Sequence, residues 1–298
     1  MNRRAFFRSF GAALVGGSGP ALAATPASVD LEQHDLRLEG DTRIARRSLL
    51  LVPKQRRPEK PRSALILLHG LGEMGNETLG IHAWGELYGL VKAYERLRRP
   101  PVARTLTRQK YLTDARAEEL NRSLAARPFG GLVVACPVTP HPGRAGAGSL
   151  DRYAAWLEKI LIPAMREHAD LDRSAKIGLD GCSLGGYVAL EVFLRKPELF
   201  ATLGGVQAAF GAGAAGRYAE ALAKAVERVG PRPLHLETSS GDPYRKANES
   251  LSRKLNELGV KNELIVPPGP HDQPWLREVG TLEMLLWQER ALAGKTTG

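Results

Sequence analysis

Apolar residues in this chain gather in short, nearly unbroken runs, and longer stretches of helical period lie between them. SALILLHG, GLVVACP, AKIGLDG, ATLGGVQAAF, PLHLETSS and NELIVPPG are runs of the length and density that strands buried on both faces of a sheet require. LEQHDLRLEG and IARRSLLLVP, upstream of them, also read as strands. The intervening segments carry apolar positions three and four apart. SLDRYAAWLEKILIPAMREHA is helical despite Pro163, and LGGYVALEVFLRKPELF is a helix ended by Pro197. RYAEALAKAVERVG closes at Gly230, DPYRKANESLSRKLNELG closes at Gly259, and PWLREVGTLEMLLWQERALAG is a final helix.

Strand and helix alternating at this spacing predict an α/β fold, with a mostly parallel central sheet and helices on both faces. Residues 73–130 break the rhythm, because a strand-to-strand crossover needs about 30 residues and this one is nearly twice as long. HAWGELYGLVKAYERLR and TDARAEELNRSLAAR read as two helices joined by the proline-bearing RRPPVARTL. The segment is expected to form a lid over the carboxyl edge of the sheet, the alternative being an outer helical decoration. No internal repeat or low-complexity tract interrupts the chain, so a single domain over residues 24–298 is expected.

Composition leaves that picture in place: of 298 residues, 43% are hydrophobic, enough for a large core. The first 23 residues differ from the rest. MNRRAFFRSFGAALVGGSGPALA has a basic start, an apolar stretch too short to span a bilayer, and small residues at Ala21 and Ala23 that permit cleavage before Ala24. Adjacent Arg3 and Arg4 resemble a twin-arginine export signal, which implies a bacterial periplasmic or secreted protein. Loss of that leader, with its three arginines and no acids, takes the formal charge from +10 to +7. Much of the remaining charge lies in TRIARRS and PKQRRPEKPRS, where prolines and missing aromatics indicate a solvated loop and not a nucleic-acid groove. No later segment is apolar for long enough to form an integral membrane span. Cys136 and Cys182 are too few for a disulfide framework and read as packing thiols.

The chemistry concentrates at GCSLGG, residues 181–186, between the strand AKIGLDG and the helix LGGYVALEVFLRK. Gly181-x-Ser183-x-Gly185 at a strand-to-helix junction is the pattern of a nucleophile elbow, whose turn is too sharp for flanking Cβ atoms. It presents the hydroxyl at a helix amino end, where free N–H groups favour negative charge. A serine needs a base, and a base needs an orienting carboxylate. His271 in PPGPHDQPW follows a strand and precedes the last helix. Asp242 in ETSSGDPYRKAN follows the strand PLHLE; a helix N-cap is its structural alternative, and Asp272 is its rival as the carboxylate. The other histidines fit less well as the base: His34 and His235 lie in strand patterns and His168 ends a helix. His82 and His141 fall in loops at the border of a pocket, for which Trp84 and Tyr88 are wall candidates if residues 73–130 cover the site.

In this order of elbow, acid and histidine the chain resembles the α/β-hydrolase family over nearly its whole length beyond the leader. HGLGE, residues 69–73, is similar to the family's oxyanion-loop motif in the form carried by phospholipase/carboxylesterase-type thioesterases. The resemblance implies Ser183, Asp242 and His271 as catalytic residues and the backbone N–H groups of Leu71 and Leu184 as oxyanion donors, each worth about 3 kcal/mol. It implies an exported serine esterase acting on a small-molecule ester. A serine peptidase or an acyltransferase on the same scaffold is a second enzymatic reading, and a binding protein on a hydrolase scaffold is the non-enzymatic one. No metal-ligand spacing, P-loop or dinucleotide fingerprint is present, so no cofactor and no metal are expected. Acyl preference and oligomeric state are not written in these motifs.

Overall fold

The computed structural model of the protein describes residues 31–54, 63–106 and 108–294; the leader read from residues 1–23 lies outside them, as does most of PKQRRPEKPRS. Eight strands among these residues form one sheet: β1 (Leu31–Arg37), β2 (Arg47–Pro53), β3 (Ala64–Leu68), β4 (Val133–Pro137), β5 (Ile177–Gly181), β6 (Thr202–Val206), β7 (Leu234–Glu237) and β8 (Asn262–Ile265). Their spatial order is β1-β2-β4-β3-β5-β6-β7-β8. β1 and β2 pair antiparallel, and β2 runs antiparallel to β4. Every pair from β4 and β3 through to β8 is parallel.

Successive residues of a strand face opposite sides, and the core follows that rule. Leu50, Val52, Ile66, Leu68, Ala135 and Leu179 join one cluster, with side chains from α4 (Ser149–Trp156), α5 (Ile162–His168), α6 (Leu184–Arg195), α7 (Ala215–Val229) and α8 (Arg245–Glu257). Leu49, Leu51, Leu65, Leu67 and Val134 join the other, against α1 (Glu77–His82), α2 (Leu90–Arg98), α3 (Asp114–Ala126) and the C-terminal α10 (Thr281–Leu292). Pro163 is held as expected, by a wider π-type turn over Leu157–Leu161 just ahead of it. HAWGELYGLVKAYERLR forms two helical pieces and not one, because Gly89 at φ 75° stops the first.

The long insertion differs from the lid expected of it. Ile81, Trp84, Leu90, Ala93, Tyr94, Leu97, Leu120 and Leu124 are buried in the second core cluster, so its helices form the layer covering one sheet face. Ion pairs fasten that layer to α10: Arg116 holds Glu283 in a two-pronged contact at 2.6 and 2.8 Å, and Arg127 lies 3.2 Å from Glu289. The face needed a cover, and neither β4 nor β5 is followed by a helix that lies on it. Part of the insertion does approach the carboxyl edge: the Tyr111 ring packs at Gly269, where an added Cβ would come within 2.8 Å of it.

Candidate active site

β5 leads into α6 through Ser183, whose φ of 56° and ψ of −119° are far from helix or strand geometry. Such a conformation costs about 1–3 kcal/mol in a residue with a side chain and persists only where its surroundings enforce it. The glycines around it show what enforces it. A Cβ on Gly181 would lie 2.4 Å from the Gly185 backbone, and one on Gly185 would lie 2.2 Å from the Leu68 carbonyl oxygen. A Cβ on Gly186 would lie 2.9 Å from the Ala208 Cβ. The three glycines of GCSLGG therefore let β5, β3 and the residues after β6 close around one serine. Ser183 N–H donates to the Val206 carbonyl at 2.9 Å, and its own carbonyl accepts from Ala209 N–H at 2.9 Å.

His271 and Asp242 meet that serine. The His271 Nε2 is 3.0 Å from Ser183 Oγ, and its Nδ1 is 2.9 Å from Asp242 Oδ1. With the proton on Nδ1 donated to the carboxylate, Nε2 is left as an acceptor facing the hydroxyl. Thr238 Oγ1–H donates to Asp242 Oδ2 at 2.5 Å, and Tyr244 N–H donates to Oδ1 at 3.0 Å, which fixes the carboxylate plane. The Asp242 side chain is fully buried, whereas His271 keeps a quarter of its side-chain surface open. Asp272, the rival carboxylate, instead caps the short helix α9 (Gln273–Trp275), accepting from Trp275 N–H at 2.8 Å. The arrangement can carry a proton from a hydroxyl to an imidazole while a buried carboxylate stabilises the charged ring.

HGLGE forms a single tight turn at the end of β3, Leu71–Glu73. Thr139 N–H donates to His69 Nε2 at 2.9 Å, which commits that nitrogen as an acceptor and leaves Nδ1 to donate to the Gly70 carbonyl at 3.0 Å. Burial holds the His69 pKa below its ordinary value, so the ring stays neutral. In a trans peptide the carbonyl and the following N–H point opposite ways, so His69 turns the Leu71 N–H away from its own ring. Leu71 opens its turn and Leu184 opens α6; neither N–H is taken by its own helix.

The three pocket candidates separate. Trp84 is fully buried and Tyr88 is 3% exposed, their rings meeting edge-on at 5.1 Å. Both are core anchors beneath the insertion, not a pocket wall, because the segment that carries them lies on the sheet face. His141 is half-buried and borders a cavity of about 210 Å³ with Arg43, Met74, Asn76, Glu77 and Arg144, directly beyond the HGLGE turn. Gln207 was not signalled by any motif. It is fully buried at φ 50°, and its Nε2 donates both to Ser239 Oγ at 2.8 Å and to the Pro270 carbonyl at 3.0 Å. One amide thus joins the end of β6, the loop bearing Asp242 and the loop bearing His271.

Behind the site, the sheet face under α10 holds ionisable groups in the core. Burial pushes the Asp180 carboxyl up to about 7, against the opposing pull of Gln288 and the Gly181 N–H. Burial brings His235 down to about 3, with Arg116 adding to the effect. Cys136 and Cys182 are buried, unpaired, and pushed upward in pKa by that burial, as packing thiols are. Among the described residues no helix is long and apolar enough to cross a membrane.

No protein-family model matches the chain, and no curated protein matches its sequence. Solved structures do match. A ferulic acid esterase aligns over 88% of this chain and 98% of its own, with a TM-score of 0.59 and 14% identity. S-formylglutathione hydrolase from Staphylococcus aureus aligns over 87% and 98%, with a TM-score of 0.58 and 16% identity. The feruloyl esterase module from Clostridium thermocellum aligns over 90% and 92%, with a TM-score of 0.55 and 15% identity. At such identities the likeness is one of fold, and the chain has the α/β-hydrolase fold.

Proposed function

We propose that the protein is a serine hydrolase that cleaves carboxylic esters through an acyl-enzyme intermediate on Ser183. The observation that carries this reading is the unbroken run of contacts from Ser183 Oγ through both nitrogens of His271 to the buried Asp242 carboxylate. Ser183 Oγ attacks the ester carbonyl carbon as His271 Nε2 takes its proton, and Asp242 stabilises the resulting imidazolium. The carbonyl oxygen becomes an oxyanion held by the N–H groups of Leu71 and Leu184. Collapse expels the alcohol, which receives the proton from His271, and water repeats the sequence on the acyl-enzyme. The names borne by the three neighbours described above, two feruloyl or ferulic acid esterases and an S-formylglutathione hydrolase, agree with this reading.

Its test is the turnover of a p-nitrophenyl ester and labelling by a fluorophosphonate. Ser183→Ala is expected to lower kcat by about three decades or more and to abolish the label. Unchanged activity or a label that persists refutes the assignment. Export to the periplasm or beyond belongs to the same proposal and is supported by the sequence of residues 1–23; an N-terminus of the exported protein that does not begin near Ala24 would overturn it.

A further inference from the structure

We propose that Tyr88 and Glu73 are positioning residues for the Leu71 backbone donor, and that they tie it to the helix following His271. The inference rests on the esterase reading and extends it to the machinery behind the oxyanion turn.

The Tyr88 hydroxyl is used in both directions. Its proton is donated to Glu73 Oε2, and its oxygen accepts from the Gly70 N–H at 3.1 Å. Gly70 lies between them: a Cβ there would meet the Tyr88 hydroxyl at 3.1 Å, Glu73 Oε2 at 3.5 Å and the Cys182 carbonyl at 3.7 Å. The turn is therefore gripped at both peptide groups that flank the Gly70 Cα. His69 takes the carbonyl of the Gly70–Leu71 peptide and Tyr88 takes the N–H of the His69–Gly70 peptide, so both planes meeting at the Gly70 Cα are held and the direction of the Leu71 N–H is set with them. Glu73, 5% exposed, orients the hydroxyl so that its lone pair, not its proton, faces Gly70.

Tyr88 is held in turn by the C-terminal segment. Thr281 Oγ1–H donates to the Tyr88 carbonyl at 2.7 Å, and Arg277 Nη1 donates to the Leu87 carbonyl at 2.9 Å. Gly89, at φ 75°, lets the Arg277 backbone approach to 3.2 Å of where its Cβ would be. Arg277 and Thr281 stand six and ten positions after His271 on one continuous helical segment through α9 and α10. The imidazole and the oxyanion donor thus share a rigid mount, although the chain between Leu71 and His271 runs through most of the molecule.

The test uses kcat, KM and inhibition by a trifluoromethyl ketone, which forms a tetrahedral adduct on serine and reports the oxyanion contacts directly. Tyr88→Phe is expected to lower kcat by about 10- to 100-fold with KM changed by less than about threefold. The ketone is expected to bind more weakly by the same factor as the loss in kcat/KM. Glu73→Leu is expected to match it. Glu73→Gln, which still offers an oxygen to the tyrosine proton, is expected to recover most of what Glu73→Leu loses. Should Tyr88→Phe not fold, the Glu73→Leu and Glu73→Gln pair, with Thr281→Val as a third variant showing a smaller loss, decides the matter. Folded Tyr88→Phe or Glu73→Leu protein with kcat and ketone inhibition within about threefold of wild type overturns the inference. So does a Glu73→Gln variant as impaired as Glu73→Leu. Wild-type protein that neither turns over an ester nor takes a fluorophosphonate overturns the esterase reading itself, and this inference with it.

Discussion

Gln207 offers the sharpest separation of activity from stability in this molecule. Its substitution by Met keeps length and an unbranched side chain, so the backbone at φ 50° is disturbed little. Two hydrogen bonds from Nε2 are lost, each worth about 1 kcal/mol net. Neither acceptor is orphaned on its main contact, because Ser239 Oγ–H still donates to the Pro270 carbonyl at 3.0 Å. Meanwhile Gln207 Oε1 is buried with no hydrogen-bond partner, and its removal recovers about 1–3 kcal/mol of desolvation. The two terms nearly cancel, so Tm is expected to move by less than about 4 °C. Activity has no such compensation. The amide is the tie between the Asp242 loop and the residue before His271, and a displacement of about 1 Å in a reacting group costs on the order of 100-fold. Kinetics on a p-nitrophenyl ester are expected to show kcat reduced by at least about tenfold, measured alongside thermal unfolding. A variant with kcat within about twofold of wild type would refute the claim that this amide sets the imidazole's position, and a large fall in Tm would refute the cancellation.

Two further outcomes follow from the buried charges. His235 is held near 3 when folded and titrates near 6.5 when unfolded, so the unfolded chain binds the extra proton and stability falls with pH between those values, by about 2 kcal/mol from pH 6.5 to pH 5. Asp180, raised to about 7 when folded, works in the opposite sense: the folded state keeps its proton while the unfolded chain has lost it, so its contribution grows as pH falls from 7 towards 4. His235→Phe, which retains the stack on Trp287, is therefore expected to gain about 2 kcal/mol on wild type between pH 7 and pH 5; parallel urea-unfolding profiles for the two proteins across that range would contradict the assignment. Arg116→Met strands the buried Glu283 carboxylate and is expected to cost about 3–5 kcal/mol, whereas Arg116→Met with Glu283→Leu is expected to recover most of it. Additive losses in the double variant would show that the pair is not coupled.

Sequence pattern reached the strands and the GCSLGG turn because both depend on neighbours in the chain. Alternation of apolar residues reports which faces are buried, and the closeness of Gly181, Ser183 and Gly185 reports a turn that excludes Cβ atoms. Strand order did not follow from such signals: β4 inserts between β2 and β3, a matter of crossover geometry and not of local composition. Nor did the role of residues 73–130. Their helices have apolar faces whether they cap an edge or cover a face, and it is the near-zero exposure of residues such as Ile81, Trp84, Leu90 and Leu124 in the folded chain that distinguishes the two. Gln207 escaped for the same kind of reason, since its partners lie 32 and 63 residues away. An amide in a strand-end context reads as ordinary polarity until the loops it joins are seen together.

What unites the site is that each reacting group is fixed by hydrogen bonds from the protein itself, some from neighbours in the chain and some from residues distant in sequence. His69 and Tyr88 grip the two peptides that flank Gly70 in the HGLGE turn, Thr238 and Tyr244 set the Asp242 carboxylate, and Gln207 holds the carbonyl next to His271. None of these contacts requires a substrate, so the alignment of hydroxyl, imidazole and carboxylate already exists in the free protein. That condition has a cost in the fold: Ser183 and Gln207 both sit at positive φ, and Gln207 keeps a buried oxygen unpaired. Strain of this sort survives only where stabilisation elsewhere exceeds it. The two apolar clusters on either side of the sheet provide that surplus, which is why the strained residues lie at the strand ends between them and not within either core.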